Sequence, residues 1–534
     1  MRCRQLQQLW FGCCIVRPTS DEINYRFAAN HYQSDGFIEN TYLNKNDTNN
    51  RDETTVRGKV SIQATNDLTI DLSAFYFDFD NGYDAFSLDN NRQTLSDQPG
   101  LDEQKTQAIA AKLTYQGFEQ FTLITLLSLA DSDLAYGYDE DWAYEGISAP
   151  EIIENPDYAY WEYSSTDYYF RDKSTQTIEL RALSNKGNEL FNGSTSWVAG
   201  VYFKQDDENL ERQYTYLASD FTSTFDSQSM AIYGQLDSQL NSTLTLTTGL
   251  RIEQRSADYI NSDGFSDSPD DTMIGGKLVL SYQQNDNAFW YGSINRGYKA
   301  GGANTDGSLP DDLRTFDPEY LVNYELGYKV SLFDNTAFIR AAAFYMDRSD
   351  IQVKSSKTIV RDDGSSEFIA YLGNAATGSN VGVEIEANWQ FNESIEFYGA
   401  LGLLDTEFKG FINAEGASLD GRQQAHAPNY QFNLGVNIRP SEDWLINFSV
   451  DGKDGFYYSD SHNERSKSVE LINASLSYLQ DEYQVKLWAR NLTDEVYANR
   501  GFYFGNDPRD GYTDKQYSQL SEPLVFGITL DYQF

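Results

Sequence analysis

The residues of this 534-residue chain that could do chemistry, judged by type and spacing, fall in a few polar stretches. The longest is DSDLAYGYDEDWAYEGISAPEIIENPDYAYWEYSSTDYYF at 131–170, which sets Trp142, Tyr144, Tyr158, Tyr160, Trp161 and Tyr163 among many carboxylates. Flat rings with acceptors between them can hold a small molecule by stacking and hydrogen bonding. A self-packed loop shielding whatever lies beneath has the same composition. The six aromatics are therefore candidate ligand contacts weighed against a plain shield. NSDGFSDSPDD at 261–271 and NDPRDGYTD at 506–514 carry oxygen ligands of the kind calcium takes. Neither keeps the spacing or closing Glu of an EF-hand loop, and both read as solvated. His31, His426 and His462 stand far apart, no G-x-S-x-G occurs, and KAGGAN at 299–304 lacks a phosphate-binding spacing. The expectation is no enzyme, no resident metal and no cofactor.

Something must position those stretches, and the sequence between them alternates. DLTIDLSAFY interleaves Leu68, Ile70, Leu72 and Ala74 with Asp67, Thr69, Asp71 and Ser73. EYLVNYELGYKVSL sets Val322, Tyr324, Leu326, Tyr328, Val330 and Leu332 against Leu321, Asn323, Glu325, Gly327, Lys329 and Ser331. NVGVEIEANWQF and the terminal PLVFGITLDYQF behave alike. A period of two marks strands with unlike faces, and no 3.6-residue pattern competes with it. Short polar turns at 64–67, 283–287, 332–336, 391–394, 439–443 and 480–482 alternate with long connections. The long ones are expected near 32–54, 80–106, 131–173, 205–228, 255–274, 297–318, 348–379, 405–429, 453–467 and 491–521. A sandwich or propeller does not sustain so one-sided a loop bias through about twenty strands.

A membrane barrel does. A charge facing lipid at mid-membrane costs roughly 2–4 kcal/mol for Lys or Arg, so the row holding Asp71, Glu325, Lys329, Glu384 and Glu386 must turn to the lumen. The apolar row then meets lipid. Aromatics cluster beside the short turns: Tyr282, Phe289, Phe333, Trp389, Phe391, Trp444, Tyr478, Tyr483 and Phe534. They are placed for an interfacial belt. The final strand, with Leu530, Tyr532 and Phe534 on one face, is expected to close the barrel. The fold class is all-β: a transmembrane antiparallel up-and-down barrel with short inner turns and long outer loops.

Composition agrees. The chain has 38 Tyr, 32 Phe and 8 Trp, and no apolar run approaches the ~18 residues of a membrane helix. Its net charge of −41 repels nucleic acid and suits solubility or surfaces that meet divalent cations. Cys3, Cys13 and Cys14 are the whole cysteine complement, so the body has no disulfide framework. Residues 1–22 stand apart from the pattern, which begins near Ile23. MRCRQLQQLWFGCCIVRP superficially resembles an export signal, but Arg17 interrupts it and no cleavage pattern follows.

Several segments, in order, resemble the barrel of TonB-dependent outer-membrane receptors: INRGYKAGGAN, TFDPEYLVNYELGYKVSLFDN, AAFYMDRSDIQV, NVGVEIEANWQF, APNYQFNLGV, LWARNLTDEVYANRGFYFG and PLVFGITLDYQF. SDGFIENTYLNKNDTNNRDE at 34–53 is similar in character, and together they cover 23–534. The wording is nearest to receptors for iron complexes. The resemblance implies an outer-membrane barrel with about 20 of 22 strands visible, taking up a scarce nutrient, with a ferric siderophore as first expectation. It implies contact with outer-membrane lipid and lipopolysaccharide. It also implies assembly through the C-terminal strand by the barrel-insertion machinery, a small-molecule ligand, and no nucleic acid. The family's plug and TonB box are not identifiable here, so partnership with the TonB system is expected only if those parts are supplied elsewhere. Two other readings stay open: an inactive truncated receptor, and an unplugged passive porin.

Overall fold

The structure is a computed structural model that describes residues 8–533 except 19–21, 148–163, 306–308, 361–365, 375–376 and 414–415. One sheet of 22 strands dominates it. One member is the two-residue segment Ser266–Asp267, which pairs with the top of Leu244–Asn261. The rest form a single antiparallel meander in which each long strand pairs with the next in sequence. It runs from Gln8–Pro18 against Ile23–Ser34 to Tyr483–Arg490 against Val525–Tyr532. Gln8–Pro18 lies in the stretch that the sequence reading sets apart from the alternating pattern. It forms a full ladder in which Gln8 meets Ser34 and Pro18 meets Asn24.

The faces separate as side-chain energetics demand. Leu250, Leu326 and Leu434 on the outer row are 55–56% exposed, as a lipid-facing wall is in the absence of lipid. Glu325 and Lys329 alternate with Leu326 and point inward. Beside them Tyr291 lies flat across Gly327 and donates to Glu325 at 2.5 Å. A Cβ on Gly327 would sit about 2.0 Å from that ring, so only glycine admits this packing. At the short-turn rim, Trp389 is ringed by Phe333, Phe391 and Phe397, with centroids 5.0–6.0 Å away. Trp444 and Tyr478 pair at 5.0 Å. This is the expected interfacial belt.

The outer connections differ from their expected bounds. A bilayer needs about 9–11 residues per tilted strand, yet Phe121–Asp139 and Thr166–Ser184 each run 19 residues and Thr195–Tyr214 runs 20. Much of the expected loops at 131–173 and 205–228 is paired ribbon rising above the membrane. In the upper part of Thr195–Tyr214 both rows are polar, because both meet water there, and polarity alone reads as loop. Backbone groups still need partners, so the ladder continues.

The densest apolar packing lies among these outer elements. Ala85, Phe86, Leu88, Trp142, Ala143, Phe504 and Tyr517 form one buried cluster; Ile351, Val353, Phe408, Phe411 and Leu419 form another. Loops from opposite ends of the sequence are tied together. Asn90 bonds Gln516 O and Ser518 N–H at 2.8 and 2.7 Å, and Arg509 reaches Asp89 at 2.7 Å. The meander therefore curls until its early and late loops meet.

Candidate ligand-binding vestibule

Period two carries the lumen row upward past the membrane, and at the mouth it gathers a set of rings and guanidiniums. Phe121–Asp139 contributes Tyr136 and Tyr138, Thr166–Ser184 contributes Asp167, Tyr169 and Arg171, and Thr195–Tyr214 contributes Arg212 and Tyr214. Two hairpins lean in from above: Gln352–Val360 with Ser366–Asn374, and Ala498–Phe504 with Lys515–Leu520. Between them lies a cavity of about 210 Å³ walled by Tyr136, Tyr169, Arg171, Arg212, Trp142 and Phe502, among others. A second cavity of about 400 Å³ shares Ala370, Arg500 and Phe502 with the first and extends to His426 and His462.

One buried ion pair braces this wall. Arg212 Nε and Nη2 donate to Asp167 Oδ1 and Oδ2 at 2.8 and 2.7 Å, with the two side chains 5% and 2% exposed. The hydroxyls of Tyr138 and Tyr169 donate to the same carboxylate at 3.1 and 2.7 Å. Arg212 also stacks over Tyr169 and Tyr214. Burial raises the Tyr136 and Tyr138 hydroxyls well above the usual phenol range, so both remain donors. Arg500 is held differently. It lies over Phe502 at 4.8 Å and makes no salt bridge among the described residues. It is a cation exposed to both cavities.

The structure divides the six candidate aromatics. Trp142 is a buried wall element, stacked on Phe86 at 5.1 Å and edge-on to Tyr517 at 5.0 Å, with a left-handed φ of 52°. Tyr144 sits away from the cavity, stacked on Tyr42 at 4.4 Å. Tyr158, Tyr160, Trp161 and Tyr163 lie outside the described residues, as does Phe534. Leu530 and Tyr532 belong to Val525–Tyr532 and are 66% and 61% exposed. That strand pairs with Tyr483–Arg490. Tyr136, Tyr138, Tyr169, Arg171, Arg212 and Arg500 were not singled out from the sequence. The first five share the parity of the lumen row, and that signal was readable had the strands been carried above the membrane. Arg500 sits on a hairpin whose fold over the mouth no local pattern announces.

His426 and His462 both line the larger cavity at this mouth. Burial, with Arg422 nearby, pushes His462 down to about 4, and burial also lowers His426. Burial pushes the neighbouring Asp460 up to about 6, against Ala425 N–H and Arg422. An unfolded imidazole titrates near 6.5, so the packed, neutral His462 costs stability as pH falls from about 6.5 towards about 4. Asp460 has the opposite sign: its packing gains as pH falls from about 6 through 3.8. His462→Gln removes the first effect alone. Hydrogen exchange at 456–466, compared at pH 7 and pH 6, is expected to show less acid loosening in that variant than in the parent chain. Equal loosening in both would contradict the assignment. Among the described residues, no group of three His, Cys, Asp or Glu side chains is gathered to hold a metal ion.

An antiparallel meander with a greasy exterior, a polar bore and a walled mouth defines a membrane-spanning β-barrel. Residues 17–492 match the family described as TonB dependent receptor-like, beta-barrel, and the chain belongs to that family. It is 25% identical over 325 residues to the pesticin receptor of Yersinia pestis, a match covering 58% of this chain and 46% of that protein. The chain thus spans about half the length of the curated relatives it matches. The ferric yersiniabactin uptake receptor of Yersinia pestis superposes with a TM-score of 0.80 at 17% identity, covering 98% of this chain and 78% of that one. The ferric-catecholate import receptor of K12 E. coli gives 0.72 at 13% identity, covering 99% and 81%. At these identities the superpositions establish the barrel fold.

Proposed function

We propose that the chain is the ligand-collecting barrel of an outer-membrane uptake receptor whose vestibule takes a ferric siderophore. The observation that carries this reading is Arg500, a cation that makes no salt bridge among the described residues and lies between two contiguous aromatic-walled cavities. Stacking faces and guanidinium groups suit a flat, anionic chelate bearing aromatic rings, since aromatic contacts add about 0.5–1.5 kcal/mol beyond burial and cation–π contacts about as much. Two solved relatives are named for ferric yersiniabactin and ferric catecholates, which supports the same class. The purified chain in detergent, titrated with ferric phenolate, catecholate and hydroxamate chelates, tests it through quenching of tryptophan fluorescence. Saturable quenching by an aryl chelate is expected, weakened about tenfold in Arg500→Ala, the loss of one charged contact. Quenching by none of the three classes would overturn the siderophore assignment, and an unchanged affinity in Arg500→Ala would overturn the site.

A further inference from the structure

Four strands of the barrel wall, Asp270–Asn285, Ala288–Lys299, Glu319–Leu332 and Ala337–Ser349, leave a groove of about 670 Å³ in the outward face. Its floor is one rung of the ladder, where Leu280 meets Gly292, Gly292 meets Leu326 and Leu326 meets Ala343. Gly292 and Ala343 put almost no side chain into this rung. The rung above carries Leu278, Ile294, Tyr324 and Tyr345, all exposed. A Cβ on Gly292 would have Glu325 O as its nearest neighbour, at 4.0 Å, so the packing does not require glycine there. One rung higher stands Arg296, opposite Gly276 and Val322. It follows Trp290, Gly292 and Ile294 by steps of two, which places it on the outward row, and it is exposed. Its guanidinium lies over Tyr320 at 4.6 Å, and Nη1 donates to Ile274 O. The nearest acid on its rung, Asp347, stands two strands away. Asp347 meets Ser379, so Arg296 marks the level at which the outward row turns polar.

A guanidinium on the lipid side is disfavoured within hydrocarbon and tolerated at its edge, where an anion can meet it. This one is at the edge. Although the chain has 81 acidic residues, none among those described pairs with Arg296, and its Nε and Nη2 make no hydrogen bond there. Directly below the open cation lies the open apolar groove. We propose that the groove seats one acyl chain of an outer-leaflet lipid whose phosphate Arg296 binds. Arginine presents its N–H groups as a planar fork that matches phosphate oxygens. Four residues separate Arg296 from Gly292, about 13 Å at a strand's rise, which is under half of a ~30 Å hydrocarbon core and so within one leaflet. A neutral lipid would gain the groove without the charge, and a soluble phosphate the charge without the groove. A lipid bearing a phosphate gains both.

The test uses the whole chain, delipidated in a neutral detergent and titrated with dioleoyl phosphatidic acid or dioleoyl phosphatidylcholine, with bound lipid counted by native mass spectrometry. One phosphatidic acid is expected to bind ahead of the rest, about tenfold tighter than phosphatidylcholine, the scale of one charged contact. Arg296→Gln should bring phosphatidic acid down to the phosphatidylcholine level. Gly292→Leu fills the groove without a backbone clash and should weaken both lipids alike. Leu434→Ala, on the distant strand Tyr430–Ser441, should change neither. Equal affinity of the parent chain for the two lipids, or a preference that survives Arg296→Gln, overturns the proposal. Binding unchanged in Gly292→Leu removes the groove from it. Dimers that persist at saturating phosphatidic acid and vanish in Gly292→Leu would overturn it in favour of a second copy of the chain.

Discussion

Arg212→Ala is expected to cost about 3–5 kcal/mol in local stability of the mouth, the range for removing one partner of a buried ion pair. The pair itself is not the source of that figure. Asp167 is 2% exposed, and without Arg212 its carboxylate keeps, among the described residues, only the hydroxyls of Tyr138 and Tyr169, which carry no charge. It must then ionise unpaired, take up a proton or open to water. Each route loosens the three ribbons that Arg212 joins: Phe121–Asp139, Thr166–Ser184 and Thr195–Tyr214. Hydrogen exchange at 134–139, 167–172 and 209–214 measures the loss, and affinity for the aryl chelate should fall with it. The double variant Arg212→Met with Asp167→Leu separates charge from packing. Apolar replacements of both partners are often neutral or better, so the double variant should recover most of the protection lost by the single one. A double variant as loose as Arg212→Ala would show that the bidentate geometry, not the unpaired charge, holds the wall.

The second large effect concerns the faces of the barrel. Leu326→Arg places a guanidinium on the lipid side, near the middle of Glu319–Leu332, and should cost about 2–4 kcal/mol in a bilayer. Asn323→Arg, three residues away on the opposite row, should change stability by no more than about 0.5 kcal/mol. There the new charge joins Glu325 and Lys329 in the wet bore, where Asn323 already donates to Glu325 at 3.2 Å. Urea unfolding in lipid vesicles compares the two. Equal costs would mean that the rows do not face different solvents.

Strand polarity was legible because bilayer physics forbids charge on one row and leaves the other free. Gly327, Glu325 and Leu326 could be assigned to faces from their neighbours alone, and the turns at 64–67, 332–336 and 480–482 from their length and polarity. The ribbons above the membrane were not legible in the same way. In Thr195–Tyr214 the stretch KQDDENLERQY is polar on both rows, since water lies on both sides, and only the partner strand's register shows that pairing continues. That is why Tyr169, Arg171 and Arg212 escaped notice although their parity matched the lumen row. Trp142 was visible as an aromatic in an acidic loop. Its partners Phe86, Phe504 and Tyr517 are distant in sequence, so its burial was not visible. Arg500 has the same cause, since the hairpin Ala498–Phe504 with Lys515–Leu520 is placed by tertiary contact with the early loops.

The most direct measurement labels residues 322–331, leaving out Gly327, one at a time with a nitroxide, in vesicles and in a background with Cys3, Cys13 and Cys14 replaced by Ser. Collision rates are then read with molecular oxygen, which concentrates in lipid, and with a water-soluble nickel chelate. The barrel predicts strict alternation: oxygen favoured at 322, 324, 326 and 328, and the chelate at 323, 325 and 329. Uniform exposure to the chelate along the whole segment, or a helical period near 3.6, would contradict it.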